Sequence, residues 1–172
     1  MTFPVVEETR VLVATTAYLV GRGVTPLRFS VPHGKGINRS RVRAALSETF
    51  KDFGISPQFL SEGADIEGVS EREWWRIECK GSGRGKSPTQ RNNFDRALAS
   101  VVTYYEEPPY SLGPNYSEAK LFLGLALPAS PDYLHQLKRR VRSPLRKRLN
   151  LWVLLYEPTG RTVKEVSPEQ EF

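Results

Sequence analysis

Two β-type runs, residues 64–69 and 74–80, are separated only by the polar stretch Ser70-Glu71-Arg72-Glu73, and that spacing calls for a hairpin. With Val69 facing Trp74, the register runs outward by simple alternation: Glu67 opposes Arg76 and Asp65 opposes Glu78. Helix-type and strand-type patterns alternate around this hairpin. Residues 5–20 are apolar on almost every side and read as a buried helix stopped by Gly21 and Gly23. Residues 27–31 form a short strand closed by Pro32, and Ser40 caps a helix over 41–53. After the hairpin, Pro88 opens a helix to residue 105, with Phe94, Leu98, Val101, Val102 and Tyr105 at helical spacing. A strand at 120–127, a helix at 131–142 ended or kinked at Pro144, and strands at 149–156 and 162–166 complete the chain. Such an order predicts an α/β fold, a mixed central sheet with helices on its faces.

A chain of 172 residues fits a single domain, 1–172, and 39% hydrophobic content supplies its core. No apolar run reaches the roughly 20 residues of a membrane helix, and the N-terminus lacks the basic start of a signal peptide. One cysteine, Cys79, excludes a disulfide framework; with only His33 and His135 beside it, a structural zinc site is excluded too. The expectation is a soluble, cytoplasmic protein. Its 25 Lys and Arg outnumber 19 Asp and Glu, a net charge of +6 that favours a polyanionic partner, nucleic acid first.

The hairpin carries the chemistry. Glu78 and Lys80 share a strand face, and the register brings Asp65 beside them. Two carboxylates so placed can share a hard divalent cation, Mg2+ or Mn2+, which takes oxygen ligands and keeps several waters. An ammonium beside them can orient a metal-bound water and neutralise a phosphate. Ile77 and Cys79 point to the opposite, core face, although the Cys79 backbone carbonyl is a further candidate metal ligand. Glu67 opposite Arg76 reads as a cross-strand ion pair, with a second-ligand role for Glu67 as the alternative.

The loop 81–87, GSGRGKS, lacks the glycine spacing of a phosphate-binding P-loop, so an NTPase is rejected. It reads as a basic segment beside the site, where Arg84, Lys86 and Arg91 can hold phosphates. Lys35, Arg39, Arg41 and Arg43 form a similar basic stretch, and seven basic residues between 138 and 148 read as a solvated helix face. Trp74, Trp75 and Trp152 read as core, and Tyr104, Tyr105, Tyr110 and Tyr116 as packing residues.

Asp65, the triplet Glu78-Cys79-Lys80 and a following helix that opens with Gln90 together resemble the PD-(D/E)XK nuclease superfamily, over roughly residues 5–127. The resemblance implies a restriction-endonuclease-like fold, whose core runs helix, three strands, helix, strand, here with one inserted helix and a C-terminal αβ extension. It implies that Asp65 and Glu78 bind the metal and that Lys80 acts on the attacking water. It places Gln90 near the site, and Glu8, with Glu7 next, as a first-helix glutamate reaching the metal or its water. Ala64 stands where the family often has proline. The implied activity is that of a metal-dependent endonuclease hydrolysing phosphodiester bonds, DNA foremost, acting alone, as a homodimer or in a larger complex and without a membrane. The alternative is a catalytically silent module on this fold that binds nucleic acid or a protein, or a subunit that needs a partner for activity.

Overall fold

The structure, a computed structural model, describes residues 3–31, 37–82, 87–107 and 110–172. Its elements in chain order are α1 (Glu8–Gly21), β1 (Thr25–Ser30), α2 (Arg39–Lys51), β2 (Gln58–Leu60), β3 (Ile66–Val69), β4 (Glu73–Cys79), α3 (Ser87–Thr103), β5 (Lys120–Pro128), α4 (Pro131–Arg140), α5 (Ser143–Leu149), β6 (Leu151–Glu157) and β7 (Thr162–Val166). Two short 3-10 turns, Tyr110–Leu112 and Pro114–Tyr116, precede β5. The seven strands form one mixed sheet in the order β2-β1-β3-β4-β5-β6-β7. The β1–β3, β3–β4 and β6–β7 pairs are antiparallel, whereas β1–β2, β4–β5 and β5–β6 are parallel. Parallel neighbours need crossovers, and α2, α3 and the α4–α5 pair supply them. No helix of the described residues is long and apolar enough to cross a membrane.

Strand alternation divides the core into two layers. Ile66, Trp75, Ile77, Cys79, Ala126 and Leu154 face α1 and α2. Leu123, Leu125, Leu127, Val153 and Leu155 face α3 and α4, where Phe94, Ala97, Val101, Tyr133 and Leu137 meet them. β5 and β6 are therefore apolar on both faces, as strands covered by helices on both sides must be. Gly124 permits the tight β4–β5 contact: a Cβ there would lie 2.6 Å from Ile77 Cγ1.

The hairpin register is the expected one over its ladder, with Val69 opposite Trp74, Glu67 opposite Arg76 and Ile66 opposite Ile77. Several boundaries differ. α1 starts at Glu8 because residues 5–7 are drawn out along β4's end, where Val6 exchanges hydrogen bonds with Ser82 in both directions. Asn38, not Ser40, caps α2 by accepting from the Arg41 N–H, which starts the helix two residues early. The α3 face is rotated: Ala97 and Tyr104 are buried, while Val102 and Tyr105 are exposed. Pro144 begins a separate helix, α5, as prolines do in a first turn. The run 138–148 is not a uniformly solvated face, since Arg146 is fully buried. Its guanidinium donates to the carbonyls of Val141, Ser167 and Gln170 and lies 4.7 Å over the Phe172 ring, holding the C-terminal segment down. β2 has no counterpart among the expected strands; its three residues are too few for periodicity to register.

Candidate active site

Asp65 lies just before β3, Glu78 is the penultimate residue of β4, and Lys80 follows that strand. Asp65 is held at both ends: its carbonyl accepts from the Ser30 N–H at 3.1 Å, and its Oδ2 accepts from the Cys79 N–H at 2.7 Å. Lys80 anchors its own strand end by donating its N–H to the Ala126 carbonyl at 3.0 Å. Its Nζ lies 3.0 Å from Glu78 Oε1 and 3.4 Å from Glu8 Oε2, so one ammonium bridges β4 to the first turn of α1. Glu8 is half-buried and faces the site, while Glu7 is exposed.

Gly81 makes that bridge possible. A Cβ at this position would stand 2.4 Å from the Val6 carbonyl oxygen and 2.6 Å from the Glu8 nitrogen, so only glycine lets the two backbones come so close.

Burial and mutual repulsion set the electrostatics. Burial pushes the Asp65 carboxyl well above its ordinary range, and the Glu78 and Glu8 charges add to this against the opposing Cys79 N–H and Lys80. Burial raises Glu8 as well, offset in part by Lys80. Burial alone would lower Lys80, but Glu8, Glu78 and Asp65 outweigh it and hold the ammonium above its usual value. Three carboxylates thus face one cation, an excess of negative charge that a divalent ion would neutralise.

Tyr104, just beyond α3, is a site residue that its assignment to packing missed. Its hydroxyl donates to Glu78 Oε2, so Glu78 is fixed on both oxygens, by Lys80 and by Tyr104. Burial and the Glu78 charge raise the Tyr104 phenol far beyond its usual range. Tyr133 closes the other side, its hydroxyl on the Gly81 carbonyl at 2.7 Å and its ionisation pushed by burial to about 12.

These groups open into a cleft of about 870 Å³ lined by Glu8, Asp65, Glu78, Lys80 and, from α3 and its end, by Asn93, Arg96, Ser100 and Tyr104. Arg10 of α1 lines the same cleft. Arg10 and Arg96 are exposed cations aimed at a carboxylate-lined cleft. In the sequence they had no distinguishing mark, because the turn of each helix that faces the cleft is a tertiary fact.

Gln90 lies one turn before Asn93 on α3, buried, with its Oε1 unpartnered. The Cys79 thiol is buried in the α1-side core, and burial first, then Asp65, raises it well above the ordinary thiol range. Among the described residues no group of three His, Cys, Asp or Glu side chains is arranged to hold a metal ion by itself. Glu67 does stand opposite Arg76, but its carboxylate pairs with Arg28 at 2.8 Å and accepts from the Trp74 indole. Arg76 turns instead to the Tyr104 carbonyl and Glu106. Of the expected phosphate-binding residues, Lys35, Arg84 and Lys86 lie outside the described residues. Arg91 is exposed on α3, and Arg39 is engaged in donating to the Ser61 carbonyl, which ties α2 to the end of β2. Comparison of the chain with protein-family models, with curated proteins and with solved structures finds no match.

Proposed function

We propose that this chain is a metal-dependent nuclease of the PD-(D/E)XK type with a restriction-endonuclease-like core, hydrolysing phosphodiester bonds of nucleic acid, DNA foremost. The observation that carries the reading is the Lys80 ammonium bridging Glu78 and Glu8, with Asp65 alongside, at the floor of an open cleft. The element order supports it: α1, β1, β3, β4, α3 and β5 follow the helix, three strands, helix, strand of that core, with α2 and β2 inserted between β1 and β3.

Asp65 and Glu78 would hold a hard divalent cation through their carboxylate oxygens, with the Cys79 carbonyl as a further candidate ligand. Bound there, Mg2+ supplies Lewis acidity to the scissile phosphate and a water of lowered pKa. The chain's own groups do the rest. Lys80, kept protonated by its carboxylates, donates to the attacking water or a phosphate oxygen and stabilises charge developing on phosphorus. Glu8 fixes the direction of that ammonium, and Tyr104 fixes Glu78. Arg10, Arg96 and Asn93 hold the flanking backbone by its phosphates without reading sequence.

The test is cleavage of supercoiled plasmid and single-stranded circular DNA in Mg2+ and Mn2+, with Lys80→Ala purified in parallel. Metal-dependent nicking that falls by two or more powers of ten in Lys80→Ala is the expected result. Nicking that persists in the variant overturns the assignment. The second reading, a silent module, draws on the lack of a three-ligand group among the described residues. It predicts no cleavage and no Mn2+ site that is lost in Asp65→Ala and Glu78→Ala.

A further inference from the structure

α1 and α2 leave an open groove of about 710 Å³ between them. α1 contributes Val13, Ala14 and Ala17 to it, and α2 contributes Val42, Ala45 and Thr49. Both sets recur at three- and four-residue steps, so each helix turns one continuous small-residue stripe to the groove. Ala45 is exposed and Phe53, at the α2 end, is 37% exposed, so the floor is open to solvent. Two half-buried stripes side by side, packed on the core from below and open above, are a seat for a third helix packed ridge into groove. Along α2 the seat runs from Arg41 to the helix end at Lys51, about 15 Å at 1.5 Å per residue, or nearly three turns of helix, with Phe53 just beyond it.

The rim selects the occupant. Arg10, Arg41 and Arg161 stand around the floor, and no Asp or Glu lines it among the described residues. Arg161 sits in the β6–β7 turn with φ +51°, a left-handed backbone position that favours glycine or asparagine, yet it carries a long cation at the groove. A second copy of this chain does not match that rim: among the described residues, none of the five α-helices carries more than one acidic residue. A duplex does not match the floor, since it keeps its apolar base faces stacked inside.

We propose that the α1–α2 groove docks an amphipathic helix of a partner protein, its apolar stripe on Ala14, Ala17 and Ala45 and its flanking Asp or Glu side chains on Arg10, Arg41 and Arg161. Arg10 also lines the carboxylate cleft, so the docked helix lies beside the site. The proposal does not depend on the nuclease reading.

The experiment is selection of a displayed library of helical peptides on the full chain, followed by titration of the enriched peptides. Enrichment of an apolar stripe at i, i+3 or i+4, and i+7 flanked by acids is expected. Binding should weaken at least tenfold in Ala45→Glu, which blocks the floor, and in Arg161→Glu, a surface turn position that leaves the core intact. A peptide in which only the acid facing residue 161 is changed to lysine should recover binding to Arg161→Glu. Absence of such enrichment, or peptides that bind both variants as tightly as the wild type, overturns the proposal. So does a single-stranded oligonucleotide that cross-links to α2 and displaces the peptides, which would assign the groove to nucleic acid.

Discussion

Replacing Gly81 by alanine tests the contact on which the site is assembled. The added Cβ would meet the Val6 oxygen at 2.4 Å and the Glu8 nitrogen at 2.6 Å, both backbone atoms that no rotamer change can move aside. Restoring ordinary contact at 3.4 Å requires the 6–8 segment and the end of β4 to part by about 1 Å. That displacement stretches the Val6 N–H to Ser82 Oγ bond, now 2.7 Å, and the Ser82 N–H to Val6 carbonyl bond, now 2.9 Å, beyond hydrogen-bonding length. Two buried bonds at about 1 kcal/mol each, with about 1 kcal/mol of residual strain, give a loss of about 3 kcal/mol. At 2–4 °C per kcal/mol for a chain of this size, Tm should fall by about 6–12 °C. The same shift carries Glu8 away from Lys80, whose separation is already 3.4 Å, and cleavage should drop by about 100-fold. Thermal denaturation followed by circular dichroism, with plasmid nicking on the same preparation, reads both effects. Gly21→Ala is the control, because its Cβ meets nothing within 4 Å and it closes a helix where alanine is favoured. A Gly81→Ala protein that melts within a degree of the wild type would refute the argument from close approach.

Asp65→Asn should stabilise the metal-free protein at neutral pH. The Asp65 carboxyl is raised in the folded state, so its contribution to stability is present below the unfolded value of about 4 and is lost as pH rises through the folded one. In EDTA the variant's Tm should exceed the wild type's at pH 7.5, and the gap should close toward pH 4. Added Mn2+ should raise the wild-type Tm and leave that of Asp65→Asn unmoved. Tyr104→Phe keeps the ring in the core and removes the donor to Glu78; it should cost about 1–2 kcal/mol, read by urea denaturation, and weaken Mn2+ binding in calorimetric titration. Arg146→Leu removes the donor to three carbonyls and should cost about 3 kcal/mol, with limited proteolysis then trimming residues after 166 first. Arg96→Ala should raise the KM for plasmid severalfold and flatten its salt dependence while kcat changes little, since an exposed cation on the cleft contributes binding more than chemistry.

The hairpin was legible because its information is local. A period of two residues and a four-residue connection settle which side chains oppose each other, and so Asp65, Glu78 and Lys80 could be gathered from sequence spacing alone. The alternation of helix and strand patterns likewise sufficed for a mixed sheet with helices on both faces, since each apolar face must be covered. Other features depended on residues far apart in the chain. Val6 meets Ser82 and Tyr104 meets Glu78 across 76 and 26 positions, and no periodicity encodes such meetings. The choice of Arg28 over Arg76 as the partner of Glu67 is of the same kind: register sets who stands opposite, but side-chain reach and competing acceptors decide who pairs. Arg146 shows the limit most plainly. Its neighbours in sequence are solvated basic residues, and only the return of the C-terminal segment over α5 encloses it and supplies the carbonyls that make burial of a cation tolerable. The sequence alone therefore determined most of the elements, short β2 and the separate α5 excepted, the pairing across the hairpin and the residue types gathered at its end. The tertiary structure decided which backbone closes on Gly81, which helix turns face the cleft and which charges lose their water, because those outcomes arise from packing between distant segments.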